Sequence, residues 1–198
     1  MKPAAEYNII RLELLEKFQM KEIKIDYIPR YTYDDYVQWE GKWELIEGIP
    51  YAMTPSPVFK HQVVSNNINI QLNKLLENCG KCRALLPLDW KIDTDMVLQP
   101  DNSVICEEVV GDYLTRPPIM IFEILSPATA FKDKNIKYKI YESQGVKYYI
   151  MVDIEAKAAE VFELINGSYK KLKDAQRDVI AFDLDNCRID FDFEKIWE

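Results

Sequence analysis

Two hydrophobic periods alternate along the chain and predict a mixed α/β fold. Apolar residues three or four positions apart predict helices at four places: residues 7–19, 32–39, 58–78 and 133–144. The second helix begins with a capping box at Thr32, with Asp in place of Glu. The last two end close to Gly80 and Gly145, because glycine readily adopts the left-handed conformation that closes a helix.

Shorter apolar runs predict the strands. They lie on both sides of a Glu47-Gly48 turn within residues 43–53, and at 82–86, 89–93, 102–106, 119–125, 146–152, 159–165 and 168–173. The runs 119–125 and 146–152 are apolar on both faces, as in strands at the middle of a covered sheet. A helix lies between them in sequence, so they should be parallel strands joined by a right-handed crossover. We predict a central mixed sheet flanked by helices.

The length and composition favour one domain. With 198 residues, 48% of them hydrophobic, the chain can bury a single core. We predict a partly helical N-terminal extension over residues 1–30 and a domain over 31–198. Charged residues interrupt the first apolar stretch, and no run reaches the ~20 apolar residues of a membrane span. A soluble, cytoplasmic protein without membrane association is therefore expected.

The four cysteines do not suggest the dense framework of a small disulfide-rich domain. Cys79 and Cys82 form a C-x-x-C pair, but a zinc site would need a second pair or several histidines, and His61 is the only histidine. We therefore predict that this pair consists of partly buried thiols near the end of a helix.

The net charge of −8 argues against a protein that holds nucleic acid through many phosphate contacts. The charge is unevenly distributed, however. Residues 132–147 contain five lysines and two acidic residues, a local balance of +3, so the rest of the chain sums to −11. A local basic patch therefore lies on an otherwise acidic body.

Two carboxylates are candidates for a metal site. Glu123 lies inside an apolar strand, where a charged side chain is costly unless it is paired or bound to a metal. Asp101 begins the 102–106 strand, although Pro-Asp-Asn is also an ordinary turn sequence. A buried salt bridge would explain Glu123 equally well. Taken together, two carboxylates that converge from neighbouring strands suit a hard divalent cation such as Mg²⁺.

A cationic candidate follows on the next predicted helix. Asp133, Lys137 and Tyr141 are four residues apart and share one helix face. A solvated face would explain most lysines here, but Tyr141 should pack inward and carry Lys137 with it. Lys137 could then stabilise charge on a phosphate or help to deprotonate an attacking water.

A more specific pattern appears when short segments are taken in order: Trp43-Glu-Leu-Ile-Glu-Gly48, Ser56-Pro57, His61-Gln62, Gln99-Pro-Asp101, Glu123-Ile-Leu-Ser-Pro127, Asp133…Lys137…Tyr141 and Gly145-Val-Lys-Tyr-Tyr-Ile-Met-Val-Asp153. This set covers roughly residues 31–170 and resembles the Uma-two family of restriction-endonuclease-like proteins. The resemblance implies the fold of the PD-(D/E)xK nuclease superfamily and a site for Mg²⁺ or Mn²⁺. By that resemblance Asp101 and Glu123 are the two acidic motif residues, and Glu44 completes the metal site.

The sequence departs from the superfamily pattern at Leu125, where a lysine is expected. The resemblance implies that a lysine of the next helix replaces it. Lys137 fits the spacing and Lys132 is the alternative. His61 matches the family's His-Gln pair, which places it near the site together with Tyr141, although a lone helical histidine is more often a packed or capping residue.

Three functions stay open. The first is a hydrolase: an endonuclease dependent on Mg²⁺ or Mn²⁺ that acts on nucleic acid, with DNA as the expected substrate and a homodimer expected by analogy alone. The second is an inactive nuclease-fold module that binds nucleic acid or protein, which the acidic body and Leu125 favour. The third is a nuclease whose substrate is delivered by another protein, which would explain the low pI.

Overall fold

The computed structural model describes residues 29–53, 58–127, 129–185 and 187–197. Tyr31–Glu198 forms one compact unit. The predicted helix over 7–19 and almost all of the N-terminal extension lie outside the described residues, so the extension stays a prediction. Among the helices that are described, none is long and apolar enough to cross a membrane.

The elements follow one another in an α/β order. They are α1 (Tyr33–Tyr36), β1 (Trp43–Ile46), β2 (Ile49–Ala52), α2 (Phe59–Leu76), β3 (Arg83–Leu85), β4 (Trp90–Asp93), β5 (Met96–Leu98), β6 (Asn102–Ile105), β7 (Met120–Ile124), a π-helix (Lys132–Lys137) that continues directly as α3 (Tyr138–Gln144), β8 (Tyr148–Asp153), β9 (Ala158–Ile165), β10 (Ser168–Ala175), β11 (Val179–Asp183), β12 (Arg188–Asp192) and a 3₁₀-helix (Phe193–Ile196).

The larger sheet has six strands in the order β10-β9-β8-β7-β6-β3. β7 and β8 pair in parallel, whereas the other neighbours pair antiparallel. The two strands predicted to be apolar on both faces are thus parallel and central, and every residue of β7 is buried. The predicted class, a mixed sheet with helices, is confirmed.

The two faces of this sheet carry separate cores, because successive side chains of a strand point to opposite sides. On one face Phe122 packs with the apolar stripe of α2 and with the β11–β12 hairpin. On the other face Ile121 packs with Tyr141 of α3 and with Trp90 of a smaller sheet, ordered β2-β1-β5-β4. Glu123 follows Ile121 by two positions and therefore points toward this second core.

Three strands were not predicted: β5 and the two strands of the β11–β12 hairpin. β5 has only three residues, too few for a period to be recognised. The β11–β12 hairpin lies in the acidic C-terminal stretch, where exposed aspartates alternate with buried residues such as Phe182 and Phe191. The many charged residues of that stretch make the alternation of polar and apolar positions hard to recognise. One face of the hairpin lies in solvent and the other packs on the core.

The prediction of free thiols at Cys79 and Cys82 is wrong, because the structure pairs Cys79 with Cys187 and Cys82 with Cys106 in disulfides. The partners are 108 and 24 residues apart in sequence. They meet only because the end of α2 lies beside the β11–β12 turn and the β3–β6 edge. Local spacing could not identify such pairs.

Candidate active site

The topology of β6 and β7 brings two predicted carboxylates together. These strands are antiparallel, with Asn102 opposite Phe122, so the residue before β6 lies beside the end of β7. Asp101 Oδ2 accepts a hydrogen bond from the backbone N–H of Ile124 at 2.8 Å. Asp101 and Glu123 both line one cleft of about 710 Å³. Strand pairing alone is enough to place the two carboxylates at one site.

His61 orients Asp101 from the other side. It lies in the first turn of α2, and its Nε2 is 3.2 Å from Asp101 Oδ2. Its buried Nδ1 has no hydrogen-bond partner within the described residues. Asp101 is therefore held by a backbone N–H of β7 and by an imidazole of α2, which fixes the direction of its carboxylate.

Lys137 lies at the centre of a buried ion-pair network. Its Nζ is 2.8 Å from Glu44 Oε1, 2.8 Å from Glu123 Oε1 and 3.7 Å from Asp133 Oδ1, and the residue is only 2% exposed. Burial alone would lower the pKa of Lys137, but the Glu123 and Glu44 carboxylates outweigh it and hold that pKa well above its usual value. The two carboxylates thus favour the charged ammonium form of Lys137.

Glu44 contacts lysines rather than an open coordination position. Lys137 bonds its Oε1, Lys132 bonds its Oε2, and the backbone N–H of Gln99 donates to Oε1 at 3.0 Å. Burial favours the neutral form, yet the two lysines hold the pKa of Glu44 below its usual value. Both of its oxygens accept from these donors, and its role as a metal ligand stays a prediction.

Lys132 and Lys137 both reach Glu44 because the segment between them is π-helical. In an α-helix residues five apart diverge, whereas the wider π-turn brings them closer to one side. The backbone N–H of Tyr138 bonds the carbonyl of Asp133, five residues back, and the Tyr149 hydroxyl donates to the same carbonyl at 3.0 Å. The two lysines, which sequence reasoning treated as alternatives, act on one carboxylate.

Glu123 is an unusually weak acid for a glutamate. Burial raises its pKa to about 8; Lys137 opposes this shift, while Asp133, Asp101 and Glu44 add to it. The Tyr141 hydroxyl donates to Glu123 Oε1 at 2.6 Å. Glu123 and Glu44 share the ammonium of Lys137. Glu44 also accepts from Lys132 and from the backbone N–H of Gln99, whereas Glu123 does not. Additional positive charge beside the Glu123 carboxyl would lower its pKa again.

Sequence reasoning did not select Asp133 as a site residue, although it noted the shared helix face. Asp133 is 2% exposed and lines the cleft, and burial raises its pKa. Its Oδ1 has no hydrogen-bond partner within the described part of the chain. The sequence did contain one indication, because Asp133 lies four residues before Lys137, which had been selected.

The described residues contain no group of three or more His, Cys, Asp or Glu placed to hold a metal.

Replacing Tyr141 by phenylalanine should raise the pKa of Glu123 further, because the ionised carboxylate loses a donor. The free energy of unfolding should fall by about 1–3 kcal/mol, the usual contribution of a buried hydrogen bond to a charged group. An NMR titration of ¹³C-labelled glutamate carboxyls measures the pKa directly. Tyr36→Phe, which removes a hydroxyl bonded to Asp89, is the control and should leave Glu123 unchanged. Equal titration curves for Tyr141→Phe and wild type would contradict the assignment.

Comparison with known proteins identifies the family. A family model named Uma2, described as "Putative restriction endonuclease", matches residues 33–184. The chain belongs to the Uma2 family. This agrees with the resemblance drawn from the ordered motifs, and the matched part of this Uma2 protein contains Glu44, Asp101, Glu123 and Lys137. A comparison with curated proteins finds no match.

A solved structure shows the fold of the Uma2 protein independently. It is a protein from Anabaena variabilis ATCC 29413 described as "a putative nuclease belonging to DUF820". The two chains are 18% identical, the TM-score is 0.69, and the similarity covers 84% of this chain and 97% of the other. The Uma2 protein therefore has the restriction-endonuclease-like fold predicted for it.

Proposed function

We propose that this Uma2 protein is a metal-dependent endonuclease that hydrolyses phosphodiester bonds of nucleic acid, with DNA as the expected substrate. The observation that carries the proposal is the pair Asp101 and Glu123 in one cleft, with the fixed ammonium of Lys137 beside Glu123. The nuclease-like family and fold support it. A cytoplasmic location and a homodimer stay predictions.

The residues of the cleft fit a hard divalent cation. Mg²⁺ is usually held by one or two carboxylates and keeps water or phosphate oxygens in its other positions, so a third protein carboxylate is not required. Asp101 and Glu123 supply the two carboxylates. Burial raises the pKa of Glu123, the neighbouring carboxylates add to this shift, and a bound cation would oppose it. When bound, Mg²⁺ or Mn²⁺ would supply Lewis-acid chemistry on the phosphate and acidify a water molecule.

The surrounding residues position these groups. Lys137 stabilises negative charge that develops on the phosphate, and its raised pKa disfavours the role of general base. Glu44 holds Lys137 and Lys132 in place, so we revise its role from metal ligand to anchor of the two lysines. Lys132 also lines the cleft, where it can contact a phosphate oxygen.

The variant Asp101→Asn tests the proposal. Plasmid and oligonucleotide cleavage should require Mg²⁺ or Mn²⁺ and should slow on the order of 10²-fold or more, because metal stabilisation of charge contributes several kcal/mol. Calorimetry should record Mn²⁺ binding to wild type and much weaker binding to the variant. Asp190→Asn, an exposed position on β12, is the control and should bind Mn²⁺ and cleave like wild type.

The alternative is an inactive nuclease-fold module that binds nucleic acid or protein. The net charge of −8 and the leucine at position 125 favour it. Folded wild-type protein that neither binds Mn²⁺ nor cleaves any nucleic acid would make this alternative the better account. Cleavage that appears only after a partner protein is added would instead favour a nuclease with a delivered substrate.

A further inference from the structure

The mouth of the cleft carries exposed apolar side chains. Phe131, which precedes the π-helix, is 74% exposed, and Val58, which precedes α2, is 66% exposed. Both line the cleft that contains Asp101 and Glu123. Packing within the described residues does not account for a phenylalanine left in water at the edge of a polar site. Phe131 and Val58 line the same cleft, and apolar patches that are exposed and bordered by polar residues mark binding surfaces.

Three lysines on the two segments that bound the cleft have carboxylate partners. Lys60 lies 2.8 Å from Glu155, Lys134 lies 3.5 Å from Glu160, and Lys132 bonds Glu44. A protein that grips a duplex does so mainly through unpaired cations on its phosphates, with a strong dependence on salt. These segments offer few unpaired cations, and the net charge of the whole chain is −8.

We propose that the cleft takes unpaired nucleotides of a single strand, with the ring of Phe131 stacked on a base beside the phosphate to be cleaved. This rests on the proposed function. Stacking of a base on an aromatic ring contributes about 1–3 kcal/mol and tolerates any base, and only an unpaired nucleotide can present its base face to such a ring. The cleft of about 710 Å³ falls in the range of about 300–1,000 Å³ found for pockets that enclose a small ligand. It suits a flexible strand better than a rigid double helix.

Fluorescence anisotropy in EDTA, where metal-dependent cleavage cannot occur, tests the proposal. The probes are labelled oligothymidine, oligouridine and an oligothymidine–oligoadenine duplex of equal length. Wild type should bind both single strands about ten-fold or more tightly than the duplex. Phe131→Ala should weaken single-strand binding about ten-fold, as expected when one stacked base is lost. Phe131→Tyr keeps the ring and should bind like wild type.

Val179→Ala is the matched control, because Val179 is also exposed, at 61%, but lies on β11 away from the cleft. It should bind single strands like wild type. All variants should melt at the wild-type temperature, since the altered side chains are mostly in solvent.

The outcomes separate this inference from the proposed function. Single-strand binding that depends on Phe131, without any cleavage when Mg²⁺ is added, would support the inference and contradict the nuclease. Tighter binding or faster cleavage of the duplex would overturn the inference and leave the nuclease standing. Unchanged binding by Phe131→Ala, with a change in oligomeric state on size exclusion, would overturn it in favour of an interface between copies.

Discussion

Lys137→Met is expected to abolish metal-dependent cleavage and to lower the free energy of unfolding by about 3–5 kcal/mol. Methionine keeps most of the apolar stem of lysine and removes the ammonium. Among the described residues, Glu44 would then keep only Lys132 as a cationic partner, and Glu123 would keep none. The burial of Lys137 between these two carboxylates makes the position important for stability as well as for cleavage.

The two effects of Lys137→Met must be measured separately. Urea unfolding gives the stability, and cleavage is assayed where the variant is fully folded. Under those conditions, the loss of one charge contact in the transition state should lower the cleavage rate ~10²–10³-fold. Lys134→Met is the matched control, since Lys134 is exposed and 3.5 Å from Glu160; its change in stability should be below ~1 kcal/mol. Cleavage that survives Lys137→Met and fails in Lys132→Met would move the role to Lys132.

Glu123→Gln is expected to slow metal-dependent cleavage by on the order of 10²-fold or more. Without metal, the variant should be at least as stable as wild type. The reason is the pKa of Glu123, raised to about 8 by burial. Between the ordinary glutamate pKa and about 8, the folded protein keeps a proton that the unfolded chain has released. Wild-type stability therefore falls as pH rises through this window. Glutamine cannot titrate, so the variant escapes that loss.

Thermal melting of wild type and Glu123→Gln in EDTA, across this pH window, measures the difference. The melting temperature of the variant should rise relative to that of wild type as pH increases. The difference should level off above about pH 8. Glu108→Gln, an exposed position, should show no such trend. A marked loss of stability in Glu123→Gln at the alkaline end would mean that the Glu123–Lys137 ion pair is mainly structural.

Much of the framework could be predicted from local patterns. β7 and β8 are apolar on both faces, and the intervening helix made their parallel pairing predictable. Glu123 was noticeable because a charge in such a strand is costly, and Lys137 because it shares a helix face with Tyr141. Each of these inferences needs only neighbours in the sequence and the period of a strand or helix.

The remaining parts depend on contacts between distant residues. The two lysines on Glu44 come from a segment 88 and 93 residues further along the chain, which no local pattern relates to β1. Their convergence also requires a π-turn, whereas the periodicity suggested a regular helix. The disulfide between Cys79 and Cys187 and the burial of Lys137 likewise follow only from the assembled sheet.

The π-helix Lys132–Lys137 also bears on how this part of the chain can vary in length. Its extra width accommodates one more residue per turn than an α-helix would. Removing the exposed Asn135 would let the segment close as a regular helix, with the two lysines four positions apart and still on one face. Two different spacings of lysine can thus build the same pair of contacts to one carboxylate. A search that demands a fixed interval between these lysines would overlook chains that carry the shorter form.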